Sequence, residues 1–245
     1  MKTQLCWIGM IAFCLGISQC NLLADGDEEN LPAEQLPDAV RAAAGVELGF
    51  NSSTKQIHTK KLKGTLVFIL EAEAESKEIC VHIAENGTVL RKESEVAASE
   101  VPEAVKSALE SRIKGATFED AHKVVTPEGT AFNIEAEVPD SNEDNGGKFT
   151  ISATGTILAS NEKVELISVP EAVKKVIDHE IGKDVRETRK IFAKGTTVYE
   201  SQGTWEGKNV ELQVSEQGRI IRKETEDPEV ETDDDDDEDD DDDKN

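Results

Sequence analysis

From Phe68 the chain alternates apolar and polar residues: Phe68, Leu70, Ala72 and Ala74 fall on one side, Glu71, Glu73 and Glu75 on the other. Phe132, Ile134, Ala136 and Val138 repeat the pattern, with Asn133, Glu135 and Glu137 between them. A period of two belongs to a strand with one buried face. Further stretches of the same kind are Ile79, Val81 and Ile83, then Phe149, Ile151 and Ala153, then Val210, Leu212 and Val214. Each leads through Gly87, Gly155 or Gly218 into a short closing run, Val89-Leu90, Ile157-Leu158 or Ile220-Ile221. Asn86-Gly87 between two alternating stretches is a strong hairpin signal. A Gly-Thr step (Gly64-Thr65, Gly129-Thr130, Gly195-Thr196) precedes each aromatic of the set Phe68, Phe132 and Tyr199, and the polar positions after Tyr199 are Glu200, Gln202 and Thr204.

Ahead of these strands the spacing changes to that of a helix. Val169, Val173, Val176, Ile177 and Ile181 form one apolar stripe, and Val101, Ala104, Val105, Ala108, Leu109 and Ile113 form another. The helix openings share a phrase: Leu36-Pro37-Asp38-Ala39-Val40-Arg41, Val101-Pro102-Glu103-Ala104-Val105-Lys106 and Val169-Pro170-Glu171-Ala172-Val173-Lys174. Its prolines stand 65 and 68 residues apart, so the internal period is a supersecondary unit. Proline is expected in the first helical turn, where its missing N–H costs nothing, with the Ala and Val of the phrase facing the sheet. Ser168 and Glu171 are spaced for a capping box. The first helix is expected to be short, because Gly45 follows Ala42-Ala43-Ala44.

These elements predict an α+β fold: tandem repeats of one helix packed on a three- to four-stranded antiparallel β-meander, each with a polar outer sheet face. The expected boundaries are a signal peptide over 1–20, an acidic linker over 21–33, repeats over 34–96 (atypical), 97–165 and 166–226, and a poly-acidic tail over 227–245. The apolar stretch from Leu5 to Ile17 behind Lys2 is too short to span a bilayer and has a signal peptide's shape, which places the chain in the periplasm, cell envelope or extracellular space. Ile17-Ser18-Gln19-Cys20 resembles a lipobox with Cys20 as lipid acceptor, although Gln19 departs from it; simple cleavage nearby or after Ala24 is the alternative. Cys6, Cys14 and Cys20 fall in the leader, leaving Cys80 alone in the folded part and no internal disulfide framework.

The formal net charge is −25. From Glu224 to Asn245 there are 16 acidic residues and one lysine, so −15 of it lies there. Asp233 to Asp243 has no apolar residue to compensate ordering, so the tail is expected to be disordered. It reads as a solubilising segment or as a loose, salt-sensitive Ca²⁺ and cation sponge.

The proline phrase, the aromatic-led strand Tyr199-Glu200-Ser201, the turn Glu206-Gly207-Lys208 and the closing Gly218-Arg219-Ile220 step resemble PepSY-like domains, exported bacterial modules related in fold to β-lactamase-inhibitory protein. The resemblance covers about Leu36 to Glu226. It implies binding through a concave sheet face, with peptidase inhibition or envelope sensing among the roles of related modules, and it carries no inhibitory residue to this chain.

Catalysis finds little support. There is no phosphate-binding Gly-rich loop, no Gly-x-Ser-x-Gly and no His-Glu-x-x-His, and His58, His82, His122 and His179 recur at no shared position, as solvent-facing substitutions would. Cys80 and His82 share a strand side on the outer face, but two ligands do not make a structural zinc site. Asp140, Asn142 and Asp144 begin like a Ca²⁺ loop, yet the glycine comes late and Ile151 stands where a bidentate Glu belongs. Asn51-Ser52-Ser53 and Asn86-Gly87-Thr88 match glycosylation acceptors. Nucleic acid is disfavoured by charge. No cofactor is expected. Trp205 is in phase with Tyr199 and reads as core edge or interface residue. The expectation is an exported, non-enzymatic protein that binds a basic or hydrolase partner, with partner contacts at Glu71, Glu73, Glu135, Glu137, Glu200 and Trp205. Two alternatives stand beside it: a peptidase or β-lactamase inhibitor, and a low-affinity cation-binding envelope protein.

Overall fold

A computed structural model describes residues 29–30, 32–49, 53–62, 65–74, 77–137 and 146–227. The leader, Cys20, Ala24, Asn51, the Asp140, Asn142 and Asp144 loop and the tail from 228 lie outside them. In chain order the elements are β1 (Glu29–Asn30), α1 (Asp38–Leu48), β2 (Ser53–Leu62), β3 (Thr65–Ala74), β4 (Lys77–Ala84), β5 (Val89–Glu95) and α2 (Glu103–Arg112). They continue with β6 (Thr117–Thr126), β7 (Gly129–Glu137), β8 (Gly146–Ser152), β9 (Ile157–Lys163), α3 (Glu171–Glu180), β10 (Val185–Ala193), β11 (Thr196–Trp205), β12 (Lys208–Ser215) and β13 (Ile220–Glu226).

All the described strands, 13 in number, join one antiparallel sheet in sequence order. This overturns the expectation of tandem helix-on-meander units. The closing strand β5 does not end a meander: Lys92, Glu93, Ser94 and Glu95 pair with Val125, Val124, Lys123 and His122 of β6. Likewise β9 pairs with β10 from Ala159↔Ala193 to Lys163↔Arg189. The physical reason is that alternation assigns a strand's faces and says nothing of its edges, and an open edge is a row of unpaired N–H and C=O groups that takes an available partner.

The helices cover one face of this sheet. Val40, Ala44 and Leu48 of α1 pack with Phe68, Leu70, Val81 and Ile83. Val105 and Leu109 of α2 meet Phe132, Ile134, Phe149 and Ile151, and Val173 and Ile177 of α3 meet Tyr199, Val210, Leu212 and Val214. Contrary to expectation, α1 runs through Gly45 for 11 residues and is no shorter than the others.

Each helix is preceded by a 3-10 turn, and its proline (Pro37, Pro102, Pro170) sits at the N-cap rather than inside the first turn. The proline carbonyl accepts the first helical bond, from Arg41 N at 2.9 Å, Lys106 N at 3.1 Å and Lys174 N at 3.0 Å. No capping box forms at Ser168; its Oγ donates to Glu165 O at 2.8 Å.

Two positions of the shared phrase enter the core: its opening Leu36, Val101 or Val169 is buried, and Val40, Val105 and Val173 are fully so. The Ala before that second Val faces the turn glycine. A Cβ on Gly87, Gly155 or Gly218 would lie 2.8, 2.7 or 2.6 Å from the carbonyl oxygen of Ala39, Ala104 or Ala172. These glycines also have φ of 85°, 87° and 81°, a region L-residues avoid. The phrase and the distant glycine are therefore two halves of one helix-to-turn contact.

A second contact ties the end of each helix to a closing strand. Lys92 Nζ lies 3.2 Å from Glu47 Oε2, Arg112 Nε 2.7 Å from Glu162 Oε2, and Lys223 Nζ 2.6 Å from Glu180 Oε2. The charges are reversed in the middle pair, and Ser160 Oγ adds a bond to Glu162 at 2.6 Å.

Candidate functional site

No described helix covers the opposite face of the sheet. Its membership follows from register, since directly paired residues share a face. Beginning at Glu71, which pairs with Cys80 and through it with Glu93, the face runs through Val124, Asn133, Glu135, Lys148, Asn161, Arg189, Glu200 and Gln213 to Arg222 and Glu224.

Its polar groups bond to one another, both along and across the strands. Arg91 Nη2 reaches Glu93 Oε2 at 2.6 Å, and Asn133 Nδ2 donates to Glu93 Oε1 at 3.2 Å. Thr150 Oγ1 donates to Asn133 Oδ1 at 2.9 Å, so this chain of bonds passes from β5 over β6 to β8. Lys148 pairs with Glu135 at 3.1 Å. Arg189 spans the second joint, with Nε 2.6 Å from Asn161 Oδ1 and Nη1 2.9 Å from Glu187 Oε1. Gln213 Nε2 donates to Glu200 Oε2 at 2.9 Å, and Arg222 Nη2 lies 2.5 Å from Glu224 Oε1 on β13.

The face is not uniformly polar, which corrects the expectation of a polar outer side. Val67, Ile69, Val124, Ile191, Ala193 and Val198 lie on it and are buried. His82 and His122 are buried there too, not solvent-facing, and His122 Nε2 sits 3.0 Å from Asp120 Oδ2. Recurrent bulges contribute by bending the strands: register shifts fall between Thr54 and Gln56, Phe118 and Asp120, and Val185 and Glu187.

Excess carboxylates raise the proton affinity of particular groups. Glu119 is held above the ordinary glutamate range by a hydrogen bond shared with Glu137, then by burial and by the charges of Glu137 and Glu135. Glu211 is raised by burial first and by the charge of Glu200 next, with Glu224 and Glu226 adding to it and Arg222 opposing.

Of the residues singled out from sequence, Glu71, Glu73, Glu135, Glu137 and Glu200 all belong to this face. Trp205 does not. It continues the Tyr199, Ser201, Gly203 side, with its ring against Gly182 just after α3 and 43% of its surface exposed. Cys80 lies on the face beside His82 and is disulfide-bonded, which corrects its reading as a lone thiol. Among the described residues no three His, Cys, Asp or Glu side chains are grouped to hold a metal ion, and no helix is long and apolar enough to cross a membrane.

Sequence reasoning missed Glu93, Asn161 and Arg189, whose contacts Glu93–Asn133 and Arg189–Asn161 cross joints between strands that no local pattern pairs. One local signal was available. Arg91-Lys92-Glu93-Ser94-Glu95 of β5 and Arg222-Lys223-Glu224-Thr225-Glu226 of β13 are nearly the same phrase.

No family model and no curated protein matches this chain. Among solved structures it is similar to a DUF2874 family protein from Bacteroides uniformis, at 15% identity and a TM-score of 0.40 over 51% of this chain and 88% of that one. It is similar to a BLIP-like protein from Bacteroides fragilis, at 22% identity and a TM-score of 0.40 over 54% of this chain and 87% of that one. It is also similar to the Bacillus megaterium YpeB C-terminal domain, at 13% identity and a TM-score of 0.23 over 82% and 100%.

Proposed function

We propose that this chain is an exported, non-enzymatic protein that binds a protein partner on the helix-free face of its sheet. The observation that carries the reading is the series of polar side-chain contacts along this face, two of which, Glu93–Asn133 and Arg189–Asn161, span the two joints. Prebonded polar groups on a rigid sheet lose little entropy on binding, as a recognition surface requires. The acidic excess around Glu119, Glu137 and Glu211 favours a partner with a basic patch, and the net charge of −25 would steer such a partner toward it. The shared proline phrase supports reading the chain as three PepSY-like copies whose strands have merged into one sheet.

The test is crosslinked capture from the envelope fraction of the source organism. Reversal of Glu71 and Glu73 to lysine is expected to abolish capture, while deletion of residues 231–245 weakens it in a salt-dependent way only. Capture that survives the reversal and disappears with the tail would sink the reading. Inhibition of a peptidase or β-lactamase is the special case in which the captured partner is a hydrolase.

A further inference from the structure

The sheet ends at β13, whose only strand partner among the described residues is β12. The equivalent strand β5 carries nearly the same phrase, Arg-Lys-Glu-Ser-Glu against Arg-Lys-Glu-Thr-Glu. The two strands also make the same contacts. Arg91–Glu93 at 2.6 Å corresponds to Arg222–Glu224 at 2.5 Å, and Lys92–Glu47 to Lys223–Glu180.

What differs is the neighbour. On β5 the outer edge holds β6, with His122, Lys123 and Val124 opposite Glu95, Ser94 and Glu93. There the Glu93 side chain is 9% exposed, whereas that of Glu224 is 44% exposed. On β9 the incoming strand has the same character, Arg189-Lys190-Ile191 opposite Lys163, Glu162 and Asn161. Twice, then, on the edge equivalent to the outer edge of β13, this chain docks a strand with His or Arg, then Lys, then an aliphatic residue in the same register.

Charge decides between occupants. Beside β13 stand Glu211, Glu224, Glu226 and Asp227 against Arg222, with Lys223 paired to Glu180 on the helix side and Lys208 paired to Asp227. A second copy would bring another −25 to this edge, and on its own β2 the positions equivalent to Arg189 and Lys190, His58 and Thr59, are paired with β1. A basic segment would meet attraction instead.

We infer that β13 is a strand-addition edge for an extended segment of a partner protein, with two consecutive basic residues followed by an aliphatic one placed opposite Glu226, Thr225 and Glu224. Main-chain bonds supply the affinity and side-chain register the selectivity, as in other cases of β-augmentation. The inference rests on the protein-binding reading and names the segment that reading leaves open.

The probe is a synthetic peptide of this chain's own residues 185–193, which holds three basic residues and one acidic. It is added to the full chain at physiological salt, and hydrogen exchange is followed along the protein. The expected result is protection of amides 220–226, lost when the peptide carries proline in place of Ile191 and absent with a scrambled peptide of the same composition. Charge reversal by Glu224→Lys with Glu226→Lys should weaken binding about tenfold, with the fold checked by circular dichroism. Because the proline peptide leaves the protein untouched, the test stands even where that variant is unstable. Protection confined elsewhere, or equal binding of the scrambled peptide, overturns the inference. So does concentration-dependent self-association of the chain that protects 220–226 without any peptide. If the edge fails while partner capture still depends on Glu71 and Glu73, the binding function stands and only the strand-addition site falls.

Discussion

At the scale of single residues, glycines separate into those the fold requires and those it merely tolerates. Gly155 has φ of 87° and the Ala104 carbonyl where a Cβ would go, at 2.7 Å. Gly155→Ala is therefore expected to cost about 2–4 kcal/mol, combining a left-handed backbone with a steric clash. Gly45 lies inside α1, and a Cβ added there would meet nothing within 4 Å. Gly45→Ala should stabilise the protein by about 0.5–1 kcal/mol. Urea titration of both variants against the parent checks the contrast, and equal effects would refute it. A third residue couples stability to pH. Burial and the charge of Glu200 raise Glu211 in the folded state, so the native protein holds that proton more tightly than the unfolded chain. Stability is then lost as pH rises from the ordinary carboxylate range through the raised value. Glu211→Gln should gain stability at pH 7, by less than about 1 kcal/mol because the group is partly solvated. The gain should shrink to nothing in thermal melts run below the carboxylate range.

At the scale of elements, the three ion pairs from helix end to closing strand are not equivalent. Glu162 is 8% exposed, and Arg112 grips both its oxygens, at 2.7 and 3.0 Å. Arg112→Ala would strand a buried carboxylate and is expected to cost about 2–3 kcal/mol. Lys223→Ala breaks a pair whose side chains are 36% and 18% exposed, and should cost less than about 1 kcal/mol. Double-mutant cycles on each pair would measure the difference; a larger coupling for Lys223 and Glu180 would contradict it. These pairs were illegible in the sequence because their members are 50 and 43 residues apart. The strands themselves were legible, since alternation from Phe68, Phe132 and Tyr199 states which side chains go inward. Proline, alanine and valine marked the helix starts for the same reason, although alanine's true neighbour, a turn glycine, could be found only in three dimensions. What local pattern does not encode is the edge. Glu93 is buried because β6 docks beside it, and nothing in its own strand announces that neighbour.

At the scale of the whole molecule, one sheet carried through both joints means that no third of the chain owns a complete set of neighbours. A fragment of residues 166–245 would begin its sheet at β10 with Ile191 uncovered, a residue 3% exposed in the whole protein. Such a fragment is expected to self-associate through that edge, as light scattering on a sizing column would show. A compact monomer would mean that the last third is independent after all. The strand order has a further consequence, in time rather than in space. Because every strand lies beside its immediate predecessor, no hydrogen bond of the sheet waits for a segment made much later. A chain delivered N-terminus first, from a ribosome or through a pore, could zip up hairpin by hairpin as it emerges, each strand closing the loop of lowest entropy cost. The open edge would then travel along the growing chain and come to rest at β13.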